Sequence, residues 1–111
     1  VLHAAGVLDD ALIAMKTLPA AHAVLAPKLQ GAREVAALAE SLGASQVLYF
    51  SSISAQMGAS GQVDYTSANA FLDAFAARAD ATSVGTRHMA LAFSIWRDAG
   101  MAARLAAERG L

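Results

Sequence analysis

The strongest restriction on the fold is a short, unbroken apolar run at residues 46–50, with the sequence Gln-Val-Leu-Tyr-Phe. Runs of this kind are typical of strands in parallel sheets, which are covered on both faces. Longer segments in which apolar residues recur at helical spacing lie on either side of it. This alternation of helix and strand predicts β-α-β units, and therefore an α/β fold with a parallel sheet and flanking helices.

Glycine and proline mark the ends of the other predicted elements. Residues 1–3 run into a loop at Gly6, as at the end of a buried strand, and a short amphipathic turn or helix is expected around residues 10–15. Pro27 stands where the first turn of a second helix is expected, and Gly43 supplies its C-terminal stop. The further predicted elements are a loop at 51–62, a helix at 65–79, a turn at 83–86, a strand at 88–95 and a short helix at 99–111.

Composition excludes several classes of function. The 111 residues are 57% hydrophobic and 15% charged, which indicates a buried core rather than disorder. A net charge of -1 with scattered basic residues predicts binding to neither nucleic acid nor an anionic membrane. The absence of cysteine excludes thiolate chemistry, and three separated histidines predict no metal site. Apolar runs are shorter than the roughly 20 residues of a membrane span, so we expect a soluble, cytoplasmic protein.

Polar side chains gather at the carboxyl ends of the predicted strands, which is where ligands bind to open parallel sheets. Ser51 and Ser52 follow the apolar run directly, and Tyr65 begins the next predicted helix. Asn69 lies four residues after Tyr65, so the two side chains share one helix face, at the edge of the apolar stripe. The sequence therefore predicts a cleft at this edge of the sheet.

A tyrosine in such a cleft needs help to act as an acid. A phenol, with a reference pKa of about 10, is a poor acid at neutral pH unless a cation or hydrogen-bond donor stabilises the phenolate. Lys28, at the start of the preceding predicted helix, is a candidate for that cation. Ser52 is a candidate donor to a substrate oxygen on which negative charge develops.

Each of these residues also has an ordinary structural explanation. A lone lysine at a helix start, such as Lys28, is usually a solvated surface charge, and serines commonly stabilise loops. Asp9 and Asp10 suit the first turn of a helix, where the macrodipole favours acids. His3, which follows a strand, suits a structural or cofactor-wall position better than the role of an acid or base. Taken singly, each residue favours the structural explanation.

Five sequence blocks are spread over nearly the whole chain. They are His3-Ala4-Ala5-Gly6-Val7-Leu8-Asp9-Asp10, Pro27-Lys28-Leu29-Gln30-Gly31-Ala32, Phe50-Ser51-Ser52, Tyr65-Thr66-Ser67-Ala68-Asn69-Ala70-Phe71-Leu72-Asp73, and Trp96 with Gly100-Met101. In this order and at this spacing they resemble the ketoreductase domains of modular type I polyketide synthases, within the short-chain dehydrogenase/reductase superfamily. The resemblance implies a Rossmann-like parallel sheet with flanking helices, present as the C-terminal portion of that fold.

The resemblance also assigns a role to each member of a catalytic tetrad. Tyr65 would be the general acid that protonates a ketone oxygen as hydride arrives from NADPH, and Ser52 would hold that oxygen. Lys28 would stabilise the phenolate and relay protons, while Asn69 would complete the tetrad by hydrogen bonding. In most short-chain dehydrogenases the lysine and asparagine exchange places, and the order found here is similar to that of polyketide ketoreductases. The implied cofactor contacts are Ala4, Ala5, Gly6, Lys28 and Tyr65.

Other residues resemble family positions that control stereochemistry. Leu8-Asp9-Asp10 is similar to the motif of B-type ketoreductases, which form a D-configured β-hydroxy product, and Met57 stands where A-type domains carry tryptophan. The departures are Ser60, Asp64 and Phe93-Ser94, where proline, asparagine and Trp-Gly are frequent. Trp96 and Met101 are expected in a substrate lid, although core packing would explain them equally well. The residues expected to contact substrate or control stereochemistry are Leu8, Asp9, Asp10, Met57, Asp64, Trp96 and Met101.

The implied function is NADPH-dependent, stereoselective reduction of a β-ketoacyl thioester carried on the phosphopantetheine of an acyl carrier protein. The other implied partners are the remainder of the ketoreductase domain and neighbouring synthase domains. No glycine-rich phosphate loop precedes the first strand, so residues 1–111 are expected to be the catalytic part of a ketoreductase domain and to be inactive alone. Two alternatives stay open: a catalytically silent scaffold and a stand-alone short-chain dehydrogenase/reductase.

Overall fold

The computed structural model describes residues 1–110 and shows a parallel three-stranded sheet in the order β1-β2-β3. The elements are β1 Leu2–His3, α1 Leu18–Ser41, β2 Gln46–Ser52, α2 Ser54–Met57, α3 Val63–Thr82, β3 Arg87–Phe93 and α4 Gly100–Glu108. A single 3₁₀ turn at Ile13–Met15 precedes α1. The alternation of strands and helices confirms the predicted α/β class, a Rossmann-like parallel sheet with flanking helices.

The strand register brings the carboxyl ends of the strands to one edge of the sheet. β1 pairs with the middle of β2, with Leu2 opposite Leu48. The ladder between β2 and β3 runs from Gln46 opposite Arg87 to Ser52 opposite Phe93. Because all three strands are parallel, the loops that follow them open at the same edge, where ligands bind in folds of this class.

The helices α1 and α3 pack against each other and against the sheet. Alanines on the helices let their backbones approach the larger side chains of the central strand. The buried cluster comprises Ala32, Ala39, Val47, Tyr49, Leu72 and Ala76. The hydroxyl of Tyr49 is hydrogen bonded to His88 Nδ1 at 2.8 Å, and burial raises the pKa of Tyr49 to about 12. The opposite sheet face is more open, with Leu2 and Met89 exposed.

The start of α1 differs from the prediction. The helix begins at Leu18, where the Thr17 side chain accepts a hydrogen bond from Ala20 N at 3.3 Å and Pro19 occupies the first turn. Pro27 therefore lies inside the helix, and the prediction that it marks the first turn is wrong. The alanine-rich stretch at 20–26 has high helix propensity, which carries the helix through the proline in spite of one lost backbone hydrogen bond.

Gly31 allows α1 to pack closely on β1. A Cβ at this position would lie 3.0 Å from His3 Cε1, closer than nearly all real contacts of such an atom. His3 is buried and packs edge-on against Tyr49, with 6.0 Å between the ring centroids. Burial and, secondly, the charge of Lys28 lower the pKa of His3. His3 therefore occupies a packed, structural position.

The other predicted elements are present with shifted ends. Ser51 and Ser52 belong to β2 rather than to the following loop, and that loop contains the short helix α2. The third predicted helix extends at both ends to Val63–Thr82, and the last strand ends at Phe93 rather than at residue 95. These shifts leave the predicted order of strands and helices unchanged.

Candidate active site

Lys28 projects from α1 toward the carboxyl end of β2. Its Nζ donates a hydrogen bond to Phe50 O at 2.7 Å and lies 5.8 Å from the centroid of the Tyr65 ring. The residue is only 4% exposed, and this burial lowers its pKa to about 8, opposed by the negative charge of Asp73. Lys28 is therefore a buried cation beside the tyrosine, not a solvated surface charge.

Tyr65 and Asn69 both lie near the start of α3, but Asn69 is more buried than predicted. Asn69 is 0% exposed, so the prediction that it lies at the edge of the apolar stripe is wrong. Burial extends around this part of the helix because α3 contacts both α1 and the sheet. Asn69 Nδ2 donates to Tyr65 O at 2.8 Å, while Asn69 Oδ1 is buried without a hydrogen-bond partner. Most buried polar atoms are hydrogen bonded, so this oxygen is free to accept from a bound molecule.

Ser52 is the last residue of β2, and its hydroxyl is held by a serine that the sequence analysis did not identify. Ser54 N and Ser54 Oγ donate to Ser52 Oγ at 3.2 Å and 3.0 Å. Two accepted hydrogen bonds leave the hydrogen of the Ser52 hydroxyl free to be donated elsewhere. The spacing of the two serines was visible in the sequence, but the helical turn α2 that folds Ser54 back was not predicted.

The residues expected to line a cofactor form a small, open surface after β1. Ala4, Ala5 and Gly6 are all exposed. A Cβ at Gly6 would lie 3.4 Å from Lys28 Cε, so the glycine keeps space free above the lysine side chain. This surface lies beside Lys28 and is open, so it leaves room for the predicted cofactor.

The Leu8-Asp9-Asp10 segment is attached to the loop that precedes Tyr65. Gln62 Nε2 donates to Asp10 Oδ2 at 3.0 Å, and Ala11 N donates to Gly61 O at 2.9 Å. Asp9 and Asp10 are exposed and precede the 3₁₀ turn, so they do not lie in the first turn of a helix. The segment is therefore held beside the loop that leads into α3.

Asp64, expected to contact substrate, is buried and ion-paired instead. Its Oδ2 lies 2.9 Å from Lys16 Nζ, and its Oδ1 accepts a hydrogen bond from Tyr65 N at 2.8 Å. The Lys16 ammonium also donates to the carbonyl of Asp9. Sequence reasoning did not identify Lys16, because no local spacing connects it with a carboxylate so far along the chain.

The remaining residues predicted to control stereochemistry lie at the surface. Met57, at the end of α2, is 78% exposed, and Trp96 is 60% exposed. The aromatic contact of Trp96 is with Phe93, at a ring-centroid distance of 5.8 Å, and not with Tyr65. Met101 lies in the first turn of α4. The structure thus brings the tetrad's Lys28, Tyr65 and Asn69 together and leaves these three residues outside that group.

Residues 1–110 contain neither a metal-binding cluster nor a membrane-spanning helix. This part of the chain contains no group of three or more histidine, aspartate or glutamate residues that could hold a metal ion. None of its helices has both the length and the apolar character that are needed to cross a membrane.

Comparison with known proteins gives consistent matches. The family model for the KR domain matches residues 1–98. The polyketide synthase GfsA of Streptomyces halstedii is 43% identical over 100 residues, which cover 90% of this chain and 1% of that synthase. The ketoreductase from the first module of phoslactomycin biosynthesis in Streptomyces sp. HK803 is 39% identical, with a TM-score of 0.78 over 90% of this chain and 22% of that structure. A solved A1-type ketoreductase is 33% identical, with a TM-score of 0.84 over 99% of this chain and 23% of that structure.

Proposed function

Because this chain belongs to the ketoreductase (KR) domain family of polyketide synthases, within the short-chain dehydrogenase/reductase superfamily, we propose that it is the catalytic part of an NADPH-dependent β-ketoacyl reductase. The proposed substrate is a β-ketoacyl thioester on the phosphopantetheine of an acyl carrier protein, and the product is the β-hydroxyacyl thioester. The remainder of the domain and neighbouring synthase domains are the other proposed partners, in the cytoplasm. The observation that carries the proposal is the burial of Lys28 beside the Tyr65 ring.

The hydrogen bonds of Ser52, Lys28 and Asn69 support the proposed mechanism. When bound, NADPH supplies the hydride. Because the Ser52 hydroxyl accepts from Ser54, its own hydrogen is free to be donated to the ketone oxygen. Tyr65 donates its phenolic proton to the same oxygen as negative charge develops there. Lys28 stabilises the phenolate. Asn69 Oδ1, which has no protein partner, accepts a hydrogen bond from the proton donor that restores the phenol of Tyr65.

The proposed stereochemical outcome is the D-configured, B-type alcohol. The Leu8-Asp9-Asp10 segment lies beside the loop that precedes Tyr65, where it can contact the acyl chain. Met57 stands where A-type domains carry tryptophan. The likeness to an A1-type ketoreductase reflects the shared fold, since both types use it. Chiral analysis of the alcohol decides the matter, and an L-configured product would overturn the B-type assignment.

The proposed acid is tested with Tyr65→Phe in the complete ketoreductase domain that carries these residues. Phenylalanine keeps the ring beside Lys28 and removes only the hydroxyl group. We expect NADPH consumption with a β-ketoacyl thioester surrogate to fall by about 10²- to 10⁴-fold, the usual contribution of general acid catalysis. Thermal stability should stay as in the wild type, and NADPH affinity should fall by no more than about 2- to 10-fold, the loss of one hydrogen bond to the cofactor.

The same assay separates the alternatives. Unchanged turnover in Tyr65→Phe would defeat the proposed acid role. A wild-type domain that binds NADPH but reduces no thioester would favour the silent scaffold. Faster reduction of free small-molecule ketones than of thioesters would favour a stand-alone short-chain reductase.

A further inference from the structure

The ion pair between Lys16 and Asp64 has no part in the proposed reduction. The two side chains are 6% and 2% exposed, and their charged atoms are 2.9 Å apart. A buried ion pair is a poor source of stability, because the cost of removing both charges from water offsets most of their attraction. What such a pair does provide is a fixed geometry between the two segments that carry it. The importance of this pair therefore depends on which two segments it holds together.

Asp64 attaches one end of the pair to the catalytic helix. Its Oδ1 accepts from Tyr65 N at 2.8 Å, and the N-cap residue Gln62 supplies no side-chain hydrogen bond to the helix. The carboxylate thus satisfies one of the free N–H groups of the first turn of α3. It also carries a negative charge at the positive end of the helix dipole. The carboxylate is held directly beside the proposed acid.

Lys16 attaches the other end to the Leu8-Asp9-Asp10 segment. Its ammonium donates to the carbonyl of Asp9. Its backbone N–H donates to Ile13 O at 3.3 Å, which fixes the lysine at the end of the 3₁₀ turn. One buried cation therefore contacts both the middle of this segment and the residue that precedes Tyr65.

We propose that Lys16 and Asp64 are positioning residues that set the distance between the Leu8-Asp9-Asp10 segment and the Tyr65 hydroxyl. This rests on the proposed reduction, in which the segment contacts the acyl chain and Tyr65 protonates its ketone. The pair thereby determines which face of the β-ketone is turned toward the hydride donor while the ketone oxygen lies at Tyr65. An asparagine at position 64 would still accept from Tyr65 N but would leave the charge of Lys16 without its counter-ion.

The test compares single and double variants of the complete ketoreductase domain. Lys16→Met and Asp64→Asn each leave one buried charge without its partner, so both should lower the midpoint of thermal unfolding. Each should also reduce kcat by about 10- to 100-fold, as expected for a small misplacement of reacting groups, and reduce the D:L product ratio. Lys16→Arg keeps the charge and should retain most of the D:L ratio.

The double variant Lys16→Met/Asp64→Asn distinguishes positioning from simple stability. With neither charge present, thermal stability should return toward the wild-type value. We expect kcat and the D:L ratio to stay low, because the buried ionic link is still absent and only the Gln62–Asp10 and Ala11–Gly61 hydrogen bonds join the two segments. Recovery of the D:L ratio together with stability would overturn the proposal. Arg87→Met, which breaks the exposed pair with Asp80, is the control and should change neither kcat nor the ratio.

Hydrogen exchange tests the link independently of activity. Lys16→Met should speed the exchange of amide hydrogens in residues 8–12 and 61–66 together, while Arg87→Met should affect neither segment. Unchanged exchange in both segments would overturn the inference even if the domain is active. A wild-type domain that reduces no β-ketoacyl thioester would instead contradict the proposed function, and exchange would still decide whether the pair joins the two segments.

Discussion

The inner and outer parts of the candidate site are built differently. Lys28 and Asn69 are 4% and 0% exposed, and each donates a hydrogen bond to a backbone carbonyl. Met57, at the end of α2, is 78% exposed, and Trp96, between β3 and α4, is 60% exposed. Backbone atoms of the core therefore fix the groups proposed for proton transfer, whereas surface side chains form the part proposed to meet the acyl chain.

The two parts of the site thus differ in a way that suits two proposed roles, proton transfer and contact with the acyl chain. Groups held by the sheet and by α3 cannot move without disturbing the core, which suits a chemical step that depends on fixed distances. Exposed side chains can be exchanged at small cost in stability. The Lys16–Asp64 pair lies between the two parts, since it is buried like the first and contacts the segment proposed for the second.

Lys28→Met is expected to have the largest effect, because it removes a buried charge of the inner part. Turnover should fall by about 10²-fold or more, since the cation that supports proton transfer is lost. The pKa of Lys28 is about 8 when folded and 10.5 as a free side chain, so between these pH values the unfolded chain binds more protons. Relative to the variant, the wild type should therefore gain free energy of unfolding as the pH rises from 8 to 10.5. The gain is at most about 3 kcal/mol, since one pKa unit corresponds to about 1.36 kcal/mol.

Urea denaturation of both proteins at pH 7, 8, 9 and 10.5 measures this difference. Comparison with the methionine variant cancels the contribution of every other group that titrates in this range. Parallel pH profiles for the two proteins would show that the ammonium of Lys28 is hydrated in the folded state. The inner part of the site would then be as open as the outer part.

Ser54→Ala should have a smaller effect on the inner part. The change removes the hydroxyl that donates to Ser52 at 3.0 Å but keeps the backbone donor at 3.2 Å. Loss of one hydrogen bond of ordinary strength predicts a fall in kcat of about 2- to 10-fold. Ser67→Ala, on the exposed side of α3, is the matched control and should leave kcat unchanged. An equal response of the two variants would show that the orientation of Ser52 does not depend on Ser54.

Local sequence patterns predicted much of the fold because hydrophobic periodicity and glycine positions determine where strands and helices form and end. The apolar run at 46–50 gave the central strand, and Gly43 marked the end of α1 within two residues of Ser41. The prediction from Pro27 was wrong because it considered the proline alone. The preceding residues together have a helix propensity high enough to keep a proline inside the helix. Patterns of this kind state which elements form, but not how deeply each residue is buried.

The site was predicted less completely, because its arrangement depends on tertiary packing. The spacing of Tyr65 and Asn69 placed them on one helix, but the full burial of Asn69 depends on α1 and the sheet. The ion pair joins Lys16, which follows the 3₁₀ turn, to Asp64 in the first turn of α3, and no sequence spacing indicates it. Ser54 was missed for a similar reason, since its contact with Ser52 requires the turn of α2.

Met57→Trp should have the smallest effect on stability and tests the outer part. Because Met57 is 78% exposed, the free energy of unfolding should change by no more than about 0.5 kcal/mol. The larger indole should narrow one approach to Tyr65 and, under the proposed B-type assignment, shift the product toward the L alcohol. Chiral chromatography of the reduced thioester measures the shift, with Gln56→Trp on the same short helix as the control. A loss of turnover without a change in the D:L ratio would show that the outer part also governs the chemical step, so that the two parts are not separable.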